Sequence, residues 1–154
     1  MKSRLNYGKA APGTYEAMDA LDRYLQGCGL EKALTMLVQL RTSQINGCAY
    51  CLDMHWKDLR AIGETEQRLY SLDAWRECPY YTDRERAALE WTESVTRITD
   101  GHVSDDVYEV ARKQFSEREL ADLTLAIAAI NAWNRLSIAA RLTPGTYQPA
   151  PATA

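Results

Sequence analysis

Cys48 and Cys51 stand three residues apart, and His55 follows Cys51 by four. On a helix, an i, i+3 spacing places two sulfurs on one face, close enough to bridge. The thiolate is the reactive form of cysteine, and a neighbouring imidazole can take the thiol proton or pair with the anion. His55 lies one turn beyond Cys51 on the same face. A nucleophilic sulfur, a second sulfur to trap the oxidised first, and a base that titrates near neutrality make a redox-active dithiol. Gly47 permits a sharp entry into the helix, and the free N–H groups of a helix start stabilise a thiolate.

Two other readings use the same residues. Zinc could be held by Cys48, Cys51 and His55, with Cys78 or His102 as the fourth ligand. Three ligands within one helix and its first turn crowd a tetrahedral site, and no motif surrounds a fourth. Alternatively, the two cysteines and the histidine belong only to the core. A partly exposed helix start argues against that. Cys28 and Cys78 have no close cysteine neighbour and read as small buried apolar residues.

The elements that must position the dithiol all read as helical. Thr14 precedes Tyr15, Met18, Leu21 and Leu25 at helical spacing, and Gly27-Cys28-Gly29 stops the run. A second helix starts near Leu30 and reaches Ile45, where Asn46-Gly47 breaks it. The dithiol helix begins at or just before Cys48 and runs to Ile62, with Gly63 beyond its last turn. A short piece from Glu66 to Leu72 precedes an irregular stretch around Trp75 and Pro79. Thr82-Asp83-Arg84-Glu85 is a capping box for a helix from Asp83 to about Ile98, and Ser104 caps another to Phe115. Ser116-Glu117-Arg118-Glu119 opens a long apolar helix that ends near Leu142. Its run from Leu123 to Ile130 suits a central core helix or a subunit interface. These segments predict an all-α protein of six or seven helices. The chain reads as one domain over 1–154, with about 144–154 as a flexible tail.

Among the remaining residues, Trp133 and Arg135 read as packing and capping rather than as the mouth of a thiol pocket. Tyr50 and Trp56 flank the dithiol face, equally suited to lining a pocket or to packing. Asp53 reads as a surface pair rather than a support for His55. His102 follows Asp100-Gly101 and reads as solvated, and capping accounts for Glu85 and Glu119.

The chain has 154 residues, 46% of them hydrophobic and 25% charged, as in a soluble globular domain. The net charge of −3 without a dense basic run argues against nucleic acid or an anionic membrane as the main partner. The first residues lack the apolar stretch of a signal peptide, and no window suggests the ~20 apolar residues of a membrane helix. Cytoplasmic location is the expectation.

The run Leu40-Arg41-Thr42-Ser43-Gln44-Ile45-Asn46-Gly47-Cys48-Ala49-Tyr50-Cys51, with His55, Arg60 and Gly63-Glu64, resembles the alkylhydroperoxidase D-like members of the carboxymuconolactone decarboxylase superfamily. Weaker likeness continues through Trp75-Arg76-Glu77, Arg84 to Leu89, and Ile130 to Arg135. The resemblance implies an all-helical AhpD-like fold, a homo-oligomer (trimer or hexamer), and thiol-dependent reduction of organic hydroperoxides or hydrogen peroxide in antioxidant defence. Carried over, Cys48, Cys51 and His55 are the catalytic residues. The residues leave the attacking sulfur open: the helix start favours Cys48 and the histidine at i+4 favours Cys51, and Cys51 is chosen because the leaving oxygen also needs a base. The other cysteine resolves, and an external dithiol or thioredoxin-like reductant restores the pair. No cofactor and no metal are implied. Two positions depart from the family's characterised peroxidases. Their relay glutamate, twelve residues before the first cysteine, is Met36 here, and their histidine between the cysteines is Tyr50. Glu31, Glu64, Glu77 or a water are the candidates for the missing relay group. The alternatives are a non-catalytic redox-sensing oligomer and a decarboxylase or lactone-processing enzyme. The latter has no evident use for two cysteines.

Overall fold

Capping side chains set the helix starts in a computed structural model that describes residues 2–150. Thr82 and Glu85 exchange hydrogen bonds at the start of one helix, and Ser116 and Glu119 do so at another. Ser104 accepts from the Val107 N–H. These local signals are read correctly from sequence. The helices are α1 (Tyr7–Ala10), α2 (Pro12–Gly27), α3 (Lys32–Asn46), α4 (Ala49–Ala61), α5 (Glu66–Tyr70), α6 (Asp83–Thr96), α7 (Asp105–Gln114) and α8 (Glu117–Ala140). A 3₁₀ turn, Leu72–Ala74, lies between α5 and α6. Among the described residues there is no strand.

Two starts differ from expectation. α1 is a single turn held by Asn6, whose side chain accepts from the Lys9 N–H, and one turn carries no apolar period to read. α2 begins at Pro12, two residues before Thr14, because proline suits the first helical position, where no N–H partner exists.

α8 is the axis of the domain. It packs against α2, α3, α4, α6 and α7. Leu123 and Ile127 are fully buried, and Ile130 nearly so. Each such side chain stabilises the fold by about 1.5–3 kcal/mol through burial. By length and composition α8 could cross a bilayer, so the sequence reading that no window approaches a membrane span is corrected. Here its faces bury Asp122, Asn134 and Ser137 as well as leucines, as a core helix among other helices does.

The tail also departs from expectation. Arg141 adopts left-handed angles and turns the chain back, and residues 145–147 lie along α4 instead of hanging free. Residues 151–154 of the expected tail lie outside the described residues.

Candidate active site

α3 and α4 meet at Gly47, whose φ of 67° lies in the left-handed region that glycine tolerates. A Cβ there would meet nothing within 4 Å, so the backbone angle, not space, demands glycine. Two α8 side chains fasten the turn. The Asn46 amide donates to Asn134 at 2.9 Å and to Asn131 at 3.0 Å, and the Asn134 amide donates to the Ser43 hydroxyl at 3.1 Å. Asn134 is fully buried. It is therefore a positioning residue for the dithiol turn. Its partners lie 88 and 91 residues away in sequence, so no local signal reveals it.

Beyond the turn, Cys48 is the N-cap of α4, and its sulfur accepts from the Cys51 N–H at 3.4 Å. The two sulfurs are joined as a disulfide, with Cα atoms 5.3 Å apart. Both cysteines are 1% exposed. They are not equivalent. Cys51 lines a cavity of about 940 Å³, and Cys48 does not.

His55 lines the same cavity one turn beyond Cys51. It is 5% exposed, and its Nε2 has no hydrogen-bond partner. Burial pushes its pKa down to about 4. The imidazole is therefore neutral at pH 7, a base and not a cation. This shift has a stability consequence. The unfolded chain takes up the proton near pH 6.5, while the folded chain resists until about pH 4. Acidification through that window favours the unfolded chain, by up to about 3 kcal/mol in full. Urea unfolding of the disulfide form should show stability falling between those values, and His55→Gln should flatten that fall.

The rest of the cavity wall comes from α2, α3, α8 and the segment after it. Met36, the position of the missing relay glutamate, lines it, as does Tyr50. Trp133 also lines it, against the packing-only reading, and donates to Asp22 at 3.0 Å. Arg135 instead folds back on Asn131, and Trp56 packs in the core beneath α4. Asp53 pairs with Lys57 at 2.9 Å, the surface pair expected. His102 is exposed, and Cys28 and Cys78 are half-buried and unbridged.

None of the three glutamates considered for the relay lines the cavity. Glu31 pairs with Arg84 at 2.9 Å, Glu64 pairs with Arg68 at 3.0 Å, and Glu77 is exposed. The cavity's carboxylates are Asp22 and Asp58. Burial, partly offset by the Trp133 hydrogen bond, holds the Asp22 carboxyl above its ordinary value. Asp58 is three residues past His55, and this i, i+3 spacing is the signal that could have identified it. Asp22 has no comparable local mark.

A buried pair braces this assembly from behind. Arg41 on α3 meets Glu93 on α6 at 2.8 Å, and Glu93 also accepts from Trp75 at 2.9 Å and Arg76 at 2.8 Å. Burial opposes the Glu93 charge, but hydrogen bonds from Trp75, Arg76 and Arg41 outweigh it and hold the carboxyl below its usual range.

Comparison with known proteins places this geometry. The sequence profile of the carboxymuconolactone decarboxylase family matches residues 12–94, a span that contains the dithiol and His55. The chain is 42% identical over 139 residues to the uncharacterized protein YdfG of Bacillus subtilis strain 168, covering 90% of this chain and 95% of that protein. It superposes with a TM-score of 0.88 on a protein of unknown function from Agrobacterium tumefaciens, provisionally called the antioxidant defence protein AhpD. The two are 44% identical, and the match covers 97% of this chain and 99% of the other. The debrominase Bmp8, solved with 2,3,4-tribromopyrrole, shares the fold with a TM-score of 0.80 at 16% identity, over 90% of this chain and 74% of its own. That last likeness concerns the fold alone. By their names, the family and its structural neighbours include enzymes of more than one chemistry. With a family profile matching residues 12–94, more than half of the chain, and a relative matched over 90% of it, the chain belongs to the carboxymuconolactone decarboxylase family.

Proposed function

We infer that the protein is a thiol-dependent peroxidase that reduces hydroperoxides through a Cys48–Cys51 dithiol/disulfide cycle. The observation that carries the reading is that Cys51 and an unpartnered, neutral His55 line one cavity while Cys48 sits outside it within bonding reach. His55 takes the Cys51 thiol proton. The thiolate attacks one peroxide oxygen, and the O–O bond breaks. The alkoxide leaves with the proton returned by the imidazole, and Cys51 becomes a sulfenic acid. The Cys48 sulfur then attacks Cys51, an S–S bond forms, and water leaves. The sum is one hydroperoxide and two thiols giving one alcohol, one water and one disulfide.

An external dithiol closes the cycle with two electrons and two protons. It reaches Cys51 through the cavity and expels Cys48, whose sulfur already accepts the Cys51 N–H at the α4 start. The helix terminus thus helps the leaving thiolate, and the histidine helps the attacking one.

Steady-state loss of tert-butyl hydroperoxide, with dithiothreitol as reductant, tests the reading. Many turnovers per protein are expected. A single stoichiometric oxidation without turnover would return the protein to a redox-sensing role. No thiol oxidation at all would return it to the decarboxylase or lactone chemistry. Self-association belongs to the same proposal. Ile138 on α8 and Tyr24 on α2 are both exposed large apolar side chains. Multi-angle light scattering is expected to give the mass of a trimer or hexamer, and a monomer at micromolar concentration would reject that part.

A further inference from the structure

The chain continues to build the cavity after α8 ends. Arg141 takes left-handed angles (φ 55°, ψ 52°), the Leu142 N–H closes on the Ser137 carbonyl at 3.1 Å, and the backbone crosses α4. Two anchors hold it there. Asp53 accepts from the Gly145 N–H and from the Lys57 ammonium, each at 2.9 Å, and that ammonium also donates to the Tyr147 carbonyl at 3.1 Å. One turn along α4, the Tyr147 hydroxyl donates to Asp58 at 2.6 Å. Leu142 and Tyr147 line the cavity together with Cys51 and His55.

We propose that residues 142–147 form a strap that is the specificity-determining wall of the thiol cavity, with Tyr147 setting the size of molecule that reaches Cys51. The proposal rests on the reading that Cys51 is the sulfur facing substrate. Cys51 is 1% exposed yet lines the cavity, so a reagent reaches it through that cavity. The other walls are faces of α2, α3, α4 and α8, packed into the domain. The strap has no helix or strand of its own and is held by a few hydrogen bonds to α4. Segments of that kind open at the lowest free-energy cost. The Tyr147–Asp58 bond ties the strap to the helix that carries His55, and a carboxylate acceptor makes it a strong bond. Burial and the Asp58 carboxylate push the Tyr147 phenol up to about 12, so it remains a donor across the working pH range.

The test reads access to the sulfur and needs no peroxide turnover. The full chain is reduced and alkylated with iodoacetamide or with N-(1-pyrenyl)maleimide, and modification of Cys51 is followed by peptide mass mapping. Cys28 and Cys78, outside the cavity lining, report the intrinsic reactivity of each reagent. Tyr147→Ala removes ring and hydroxyl. Asp53→Ala frees the other anchor without altering the lining. Both should raise the bulky-to-small rate ratio at Cys51, by about tenfold for Tyr147→Ala, in keeping with loss of one charge-assisted hydrogen bond. Tyr147→Phe, which keeps the ring, should give a smaller rise. Ratios equal to wild type in both Tyr147→Ala and Asp53→Ala would overturn the proposal. A raised ratio in a protein that turns over no hydroperoxide keeps the strap and rejects the peroxidase reading. Turnover with unchanged ratios does the reverse.

Discussion

Replacing His55 with Ala slows the reaction of the reduced protein with a hydroperoxide by about 10²–10⁴-fold, the range for losing a positioned acid–base group. The substitution leaves α4 intact, because Ala is the best helix former. Its effect falls on the proton, since the buried imidazole is neutral and its Nε2 has no hydrogen-bond partner. The slowed rate should be partly recovered at higher pH, where the Cys51 thiol ionises without help. Met36→Glu gives the opposed test. Met36 shares the cavity with Cys51 and His55, so a carboxylate there should raise the rate or move its pH optimum. It does so at a stability cost, because the side chain packs against an apolar cluster. Stopped-flow peroxide kinetics on both variants from pH 5 to 9 decide the matter. An unchanged rate in His55→Ala would remove the histidine from the chemistry.

Replacing Glu93 with Ala destabilises the fold by about 3–5 kcal/mol, the scale for stranding one partner of a buried ion pair. Arg41 is 7% exposed and keeps only the Gln44 side chain as a charge-free partner once Glu93 is gone. Trp75 loses its acceptor in the same step. Replacing both Arg41 and Glu93 with Met and Leu should recover much of the loss, since no buried charge is then left unpaired, although the Trp75 N–H still lacks its acceptor. Because the folded Glu93 pKa is lowered, its contribution is present at neutral pH and is lost as pH falls through the folded value. Urea midpoints at pH 7 measure both variants. A loss below 1 kcal/mol for Glu93→Ala would show that water relieves the stranded guanidinium.

The features legible in the sequence are the local ones. Capping boxes at Thr82 and Ser116 need only residues three apart, and the dithiol with His55 sits on one helix. Gly47 announces its left-handed turn by its residue type. What stayed hidden depends on contacts between distant segments. Asn134 reaches Ser43 across 91 residues, Trp133 reaches Asp22 across 111, and Tyr147 reaches Asp58 across 89. The segment from about 144 reads as a flexible tail because composition reports no tertiary anchor. Asp53 was legible as half of a surface pair, which Lys57 completes, but its second bond, to Gly145, holds the strap. The glutamates considered as relay groups all lie away from the cavity. Glu31 is held by Arg84, 53 residues away, whereas Glu64 pairs locally with Arg68 and Glu77 is exposed.

The central claim is that Cys48 and Cys51 act as one redox unit with Cys51 facing the substrate. A titration of the fully reduced protein with hydrogen peroxide, with thiols counted and the product mapped by mass spectrometry, tests it most directly. One equivalent should consume two thiols and yield a Cys48–Cys51 disulfide, with Cys28 and Cys78 still reduced. In Cys48→Ser, the same equivalent should leave a sulfenic acid on Cys51. A Cys28–Cys78 bridge as the main product, or a sulfenic acid that never forms on Cys51, would contradict the account.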